Sequence, residues 1–248
     1  MPVVDREWAM PYKQSHRGKH PSDGKLFSEK RLPVLTGAVK DLSYLFSRGY
    51  SGSSALKLVG DRYQLTVRQR RAVLGAACSD ESLAYRRTHR VPASGLKGQT
   101  LAVDGYNLLI TTECALSAGV LLRGRDGCIR DLASIHGSYR RVEETLPAVR
   151  LIGKAFQRLR VGRVNWYFDA PVSNSGRLRI LMYHEASEAH WDWQIELTNR
   201  TDQVLEASGD IVVTSDSWIL DRAKRWANIS QVLVRFVRPR PEVIDMRP

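Results

Sequence analysis

Leu101-Ala102-Val103-Asp104-Gly105-Tyr106-Asn107 decides the reading of the fold: a short apolar run closed by an acid, a glycine and an amide. An apolar run of that length reads as a buried strand, and the turn residues behind it end it. The pattern recurs. Val164-Asn165-Trp166-Tyr167-Phe168 runs into Asp169, and Ile211-Val212-Val213-Thr214 runs into Ser215-Asp216. Val120-Leu121-Leu122 is a further short run, Trp191 to Leu197 alternates like a strand, and Val232-Leu233-Val234 is expected to be the last strand. Helical patterns lie between them. His136 to Arg160 is a long amphipathic stretch with Leu146, Val149, Ile152, Phe156 and Leu159 on one face; Asn174 to Ala189 and Trp218 to Ala227 read as helices. Strands alternating with helices predict an α/β fold with a mostly parallel sheet over residues 100–236.

Upstream the period changes. Leu35, Val39, Leu42, Leu45 and Phe46 form a helical stripe that Gly49 closes, and Ala55, Leu56, Val59 and Tyr63 suggest a second short helix. Thr66 followed by Gln69 is a capping-box pattern ahead of Val67, Val73, Leu74 and Ala77. Residues 31–85 are therefore expected to form a small all-α domain. Residues 1–30 read as a flexible basic arm, residues 86–99 as a linker, and residues 237–248 as a loose Pro/Arg-rich tail.

The chain of 248 residues is 43% hydrophobic and 26% charged, enough to bury a sizeable core. No apolar run approaches the roughly 20 residues of a membrane span, and the first residues lack the apolar segment of a secretory signal. Cys78, Cys114 and Cys128 are odd in number and show no CxxC spacing, which argues against a disulfide framework or a zinc site. A cytoplasmic protein is expected, with no membrane partner and with homo-oligomers left open. The net charge is +12, and residues 1–98 hold 18 Lys and Arg against 8 Asp and Glu. Such asymmetry points to a polyanion, nucleic acid first; the bland alternative is a soluble basic surface.

Asp104, Asp169 and Asp216 each follow an apolar strand, and in open parallel sheets functional groups gather at the carboxyl ends of the strands. Three carboxylates on one edge repel one another unless one keeps its proton or a cation sits between them. A hard divalent ion such as Mg²⁺ prefers oxygen ligands, and in a basic protein it points to phosphodiester hydrolysis. Asp at a strand end also caps the following helix, which is the competing reading for each acid taken singly.

In their order these motifs resemble NYN domains, the PIN-like nucleases. Val103 to Leu109 is similar to their first motif, Trp166-Tyr167-Phe168-Asp169 to the intervening strand and acid, Asp202-Gln203-Val204-Leu205 to an acid at a helix start, and Ile211 to Asp216 to the later strand and acid. The resemblance spans roughly residues 100–235. The helical part looks like a domain of unknown function that accompanies such nuclease domains in archaeal and bacterial proteins. The resemblance implies a doubly wound parallel sheet and a metal-dependent ribonuclease using Mg²⁺ or Mn²⁺. Asp104, Asp202 and Asp216 would be the principal metal ligands, Asp169 an added one, and Asp221 a further acid. Asn107 would orient Asp104 or touch a phosphate. Glu196 and Glu206 stand as alternatives to Asp202, and Thr214 and Ser215 would bind phosphate or cap the next helix. A non-catalytic RNA-binding protein and a toxin-type ribonuclease share this fold. A haloacid-dehalogenase-like phosphatase would need a second acid that Asp169-Ala170-Pro171 lacks.

Candidate RNA contacts are Arg68, Arg70 and Arg71 on the third helix, and Arg123 and Arg125 in the RGRDGCIRD loop, where Arg130 and Asp131 also lie. An exposed charged helix face and a hairpin with internal ion pairs are the structural alternatives. Ser138-Tyr139-Arg140-Arg141 either extends the basic surface or forms a first helical turn. Trp166, Trp191, Trp193, Trp218 and Trp226 are expected in the core rather than as base-stacking platforms. The six histidines show no HExxH pattern, and neither GxGxxG nor GxxxxGK[ST] occurs.

Overall fold

The computed structural model describes residues 16–133 and 139–248; residues 1–15 of the expected arm, and His136 and Ser138, lie outside them. The helical region begins with α1 (Asp23–Leu26), followed by α2 (Leu32–Ser47), α3 (Gly52–Arg62), α4 (Val67–Ala76) and α5 (Asp80–Thr88). Leu35, Val39 and Leu42 of α2 are fully buried against Ala55, Val59 and Val73, as their helical spacing predicts. The capping box at the start of α4 is formed: Gln69 N–H donates to Thr66 Oγ1, and Thr66 N–H donates to Gln69 Oε1.

After this region come β1 (Leu101–Asp104), α6 (Gly105–Leu116), β2 (Leu121–Arg123), β3 (Ile129–Asp131), α7 (Thr145–Arg158), β4 (Val164–Asp169) and α8 (Ser175–Glu188). The chain continues with β5 (Trp193–Thr198), α9 (Thr201–Ala207), β6 (Ile211–Val213), α10 (Ser217–Leu220), α11 (Ile229–Leu233) and β7 (Val243–Asp245). Four strands make a parallel sheet in the order β5-β4-β1-β6. The chain builds outward from β1 through β4 to β5, then returns to place β6 on the other side of β1. The strand order therefore reverses between β1 and β6, where a parallel sheet opens a crevice at its carboxyl edge. Leu101, Val103, Trp166 and Val213 face a core shared with Leu109, Val149, Ile152 and Met182 of α6, α7 and α8. Ala102 and Val212 face the opposite way, toward Leu205 of α9 and Ile219 of α10. This alternation is the period of two expected of strands covered on both faces.

Several segments depart from expectation. Val232 and Leu233 belong to helix α11, not to a strand; Asn228 Oδ1 accepts the Gln231 N–H and starts the helix. A short buried apolar run does not by itself distinguish the two states. The helix expected over Trp218–Ala227 lasts only from Ser217 to Leu220. The chain then runs alongside β6, where Val212 N–H donates to Arg225 O and Ala227 N–H donates to Val212 O. The hairpin β2–β3 leaves the main sheet and joins β7 in a second sheet, ordered β3-β2-β7. The expected loose tail thus holds a strand, and Met246 behind it is fully buried.

The two presumed connectors are packed. In the arm, Asp23 is 2% exposed, and Arg17 Nε donates to the buried Glu113 at 2.8 Å. In the linker, Leu96 is fully buried and Val91 N–H donates to Trp226 O at 2.7 Å. The helical region also seals the second sheet: Val120, Leu122 and Met246 share its core with Phe27, Leu35 and Val73. Residues 16–98 are therefore structural support for the α/β region, since without them this apolar face meets water. No helix among the described residues is long and apolar enough to cross a membrane.

Candidate functional site at the carboxyl edge of the parallel sheet

Asp104 ends β1 and caps α6: its Oδ1 accepts the Asn107 N–H at 3.4 Å, and its Oδ2 accepts Thr214 Oγ1–H at 2.7 Å. Thr214 Oγ1 in turn accepts the Asp216 N–H at 3.0 Å. Asp216 caps α10, accepting the N–H groups of Trp218 and Ile219 on Oδ1. Asn107 Oδ1 takes both the N–H and the hydroxyl of Ser215, at 2.8 and 3.0 Å. These bonds tie the end of β1 to the end of β6 across the point where strand order reverses. Gly105 lets β4 approach: a Cβ there would lie 2.4 Å from the Phe168 ring.

Asp169 ends β4 and Asp202 opens α9, both exposed. Their position on the same edge is felt electrostatically. Burial lifts the Asp104 carboxyl to about 7; the Thr214 and Asn107 hydrogen bonds oppose this, while the charges of Asp216 and Asp169 add to it. Asp202 is also raised, first by burial and then by Asp216 and Asp169. Asp104, Asp169, Asp202 and Asp216 thus form one interacting set. Asp221 stands apart, its Oδ1 accepting Arg86 Nε–H at 2.8 Å, so its expected ligand role is redirected to an ion pair. Glu206 faces Arg222 at 3.8 Å, and Glu196 lies by Tyr167, where it and Asp210 raise the phenol after burial. Thr214 proves to hold Asp104 directly.

The basic candidates are mostly engaged inside the protein. Arg68 donates twice to Asp23; Arg70 donates to Leu65 O and Asp61; Arg125 donates to Asp80 and Cys78 O; Arg123 stands 4.0 Å from Asp245. Arg71 is exposed. Tyr139 is buried and donates to Glu113, so it adds nothing to a basic surface. Trp166 and Trp226 are core residues as expected, whereas Trp218 is 43% exposed with the Arg222 guanidinium 4.2 Å from its ring centroid.

One buried cluster has no signature in the linear sequence. Asp126, 2% exposed in side chain, accepts from Arg86 Nη1 at 2.5 Å and from Arg130 Nη1 and Nη2 at 2.9 and 2.7 Å. Burial alone would raise its pKa, but the two guanidinium groups hold it well below the usual carboxylate range. Arg130 Nε donates to Ser215 O and Arg86 Nη2 donates to Ser217 O, so the cluster braces the loop that carries Asp216. Beside it a cleft of about 660 Å³ opens between the helical region and the acid edge, with Phe46, Tyr50 and Leu74 on one side and Asn107, Ser215 and Asp216 on the other.

Residues 93–232 match a family described as a domain of unknown function, DUF5616, over more than half of the chain. The chain belongs to the DUF5616 family. Residues 34–89 match a second family of unknown function, DUF434, which corresponds to α2 through α5. The uncharacterized protein MJ0935 of Methanocaldococcus jannaschii is 27% identical over 183 residues, covering 74% of this chain and 87% of that protein. No solved structure matches the chain. All four interacting acids lie within the DUF5616 match, and the cleft is bounded on one side by DUF434-matching helices.

Proposed function

We propose that the DUF5616 carboxyl edge is a divalent-cation-dependent ribonuclease site on a PIN-like, doubly wound sheet. The observation that carries this reading is Asp104, half-buried at the β1/β6 crevice under the charges of Asp169 and Asp216. A carboxyl so placed is costly in an unliganded protein, which suits a group kept for chemistry. The NYN-like order of motifs and the +12 charge support RNA as the substrate.

The donor set is all oxygen, which suits a hard ion such as Mg²⁺ or Mn²⁺. Among the described residues no three His, Cys, Asp or Glu side chains gather closely enough to hold an ion alone. Mg²⁺ is usually held by one or two carboxylates and keeps several waters. Asp104 and Asp216 would therefore hold it directly, with Asp169 and Asp202 reached through its waters. A bound ion supplies an activated water and neutralises charge on the phosphate oxygens. Thr214 and the Asn107 main chain fix the Asp104 carboxylate, and Ser215 fixes Asn107 so that its Nδ2 is left to donate to a phosphate oxygen.

Ion binding must displace the Asp104 proton, so affinity should rise with pH through about 7. Calorimetric titration with Mn²⁺ should show tighter binding at pH 8 than at pH 6, with protons released. Asp216→Asn should weaken it by at least about tenfold, the scale on which ligation-sphere changes act. A pH-independent affinity untouched by this substitution would refute the assignment.

A further inference from the structure

We infer that the cleft between the helical region and the acid edge receives the base and ribose of one unpaired RNA nucleotide, so that the DUF434-matching helices form a wall of the substrate site. This rests on the ribonuclease reading and adds to it where the substrate lies. The cleft volume, about 660 Å³, falls within the range of small-molecule sites. Its helical wall presents Phe46 of α2, Leu74 of α4 and Tyr50 from the turn after α2; Tyr50 is 53% and Leu74 41% exposed. Apolar side chains left in solvent together on the wall of one polar cleft mark a contact surface, and an aromatic ring there offers a stacking face to any base.

The polar wall excludes a phosphate as the occupant. Its two guanidinium groups, Arg86 and Arg130, are already bonded to Asp126, and the other charged lining groups are Asp131, Asp216 and Asp221. Such a wall repels an anion but accepts hydrogen bonds, which suits base amino groups and ribose hydroxyls. Asp216 belongs both to this wall and to the interacting acids. A nucleoside in the cleft therefore leads its own phosphodiester onto the acid edge. A paired base has its donor edge occupied and its faces stacked, so the cleft selects single strands.

The test uses the full chain and a fluorescein-labelled single-stranded RNA decamer, with anisotropy read in EDTA. Tyr50→Ala and Leu74→Ser change exposed side chains, so circular dichroism and Mn²⁺ binding should match wild type. Tyr50→Ala should weaken RNA binding at least about fivefold, the lower end of what one base–aromatic stack contributes, and Leu74→Ser should weaken it by the loss of an apolar contact. The same decamer in a duplex should bind more weakly than the single strand. Wild-type affinity in both variants, or duplex binding equal to single-strand binding, would overturn the inference. RNA binding that falls in the variants of a protein that cleaves nothing with Mn²⁺ would leave the cleft in place and remove the hydrolytic reading. Cleavage by Tyr50→Ala with unchanged KM would do the reverse.

Discussion

Asp104→Asn should make the metal-free protein more stable above neutral pH, by on the order of 3 kcal/mol, while slowing the proposed cleavage. The unfolded carboxyl loses its proton near 3.8, whereas the folded one holds it to about 7. Between those values the native state binds more protons than the unfolded state, so wild-type stability falls as pH rises. An amide has no charge to desolvate; its Oδ1 can still accept the Asn107 N–H, while its Nδ2, in the place of Asp104 Oδ2, can donate to Thr214 Oγ1 instead of accepting from it. Urea denaturation in EDTA at pH 4 and pH 8.5 should therefore show a gap between variant and wild type that opens with pH. A variant less stable at both values would show that the carboxylate is a structural bond and not a retained cost. Stability given up at one desolvated acid is the trade expected of a site that binds an ion.

Asp126→Ala should act in the opposite direction, with a loss of about 3–5 kcal/mol, the usual cost of breaking a buried ion cluster by removing one partner. Arg130 would remain buried with no counter-charge, Arg86 would keep only the half-buried Asp221, and Cys128 N–H would lose its acceptor. The depressed pKa of Asp126 means that its contribution is complete above the ordinary aspartate range and is lost as pH falls through its lowered value. The midpoint of guanidinium denaturation at pH 7 should drop in the variant. An unchanged midpoint would mean that the two guanidinium groups find other partners. Because Arg86 and Arg130 also hold the Ser217 and Ser215 carbonyls, Asp126→Ala should loosen the Asp216 loop as well.

The parallel sheet was legible because β1, β4 and β6 each carry their own apolar run and end in an acid, so local sequence and tertiary position agree. The helical stripe of α2 and the capping box of α4 were legible for the same reason. What escaped is non-local. Val120-Leu121-Leu122 reads as a strand but cannot say which sheet it joins, and β7 sits in a Pro/Arg-rich tail where composition argues for a loop. Val232-Leu233 is apolar enough for either state, and only the Asn228 cap selects helix. Asp104, Asp169, Asp202 and Asp216 could be named from motif order, but Asp221 could not be told from them, because its partner Arg86 lies 135 residues away. The Arg86–Asp126–Arg130 cluster joins a presumed linker to a presumed solvated loop, and nothing in either segment announces the other. Arg68, Arg70 and Arg125 stayed open between RNA contact and structural role for the same reason: Asp23, Asp61 and Asp80 find them only in the folded chain.

The most direct test of the carboxyl edge is cleavage of end-labelled single-stranded RNA by the full chain, followed on a sequencing gel with Mn²⁺ or with EDTA. The expected result is a set of shorter fragments that appears only with the ion, at a rate on the order of 100-fold lower in Asp104→Asn. RNA left intact by the wild-type protein in Mn²⁺, or cut equally fast by Asp104→Asn, would contradict it.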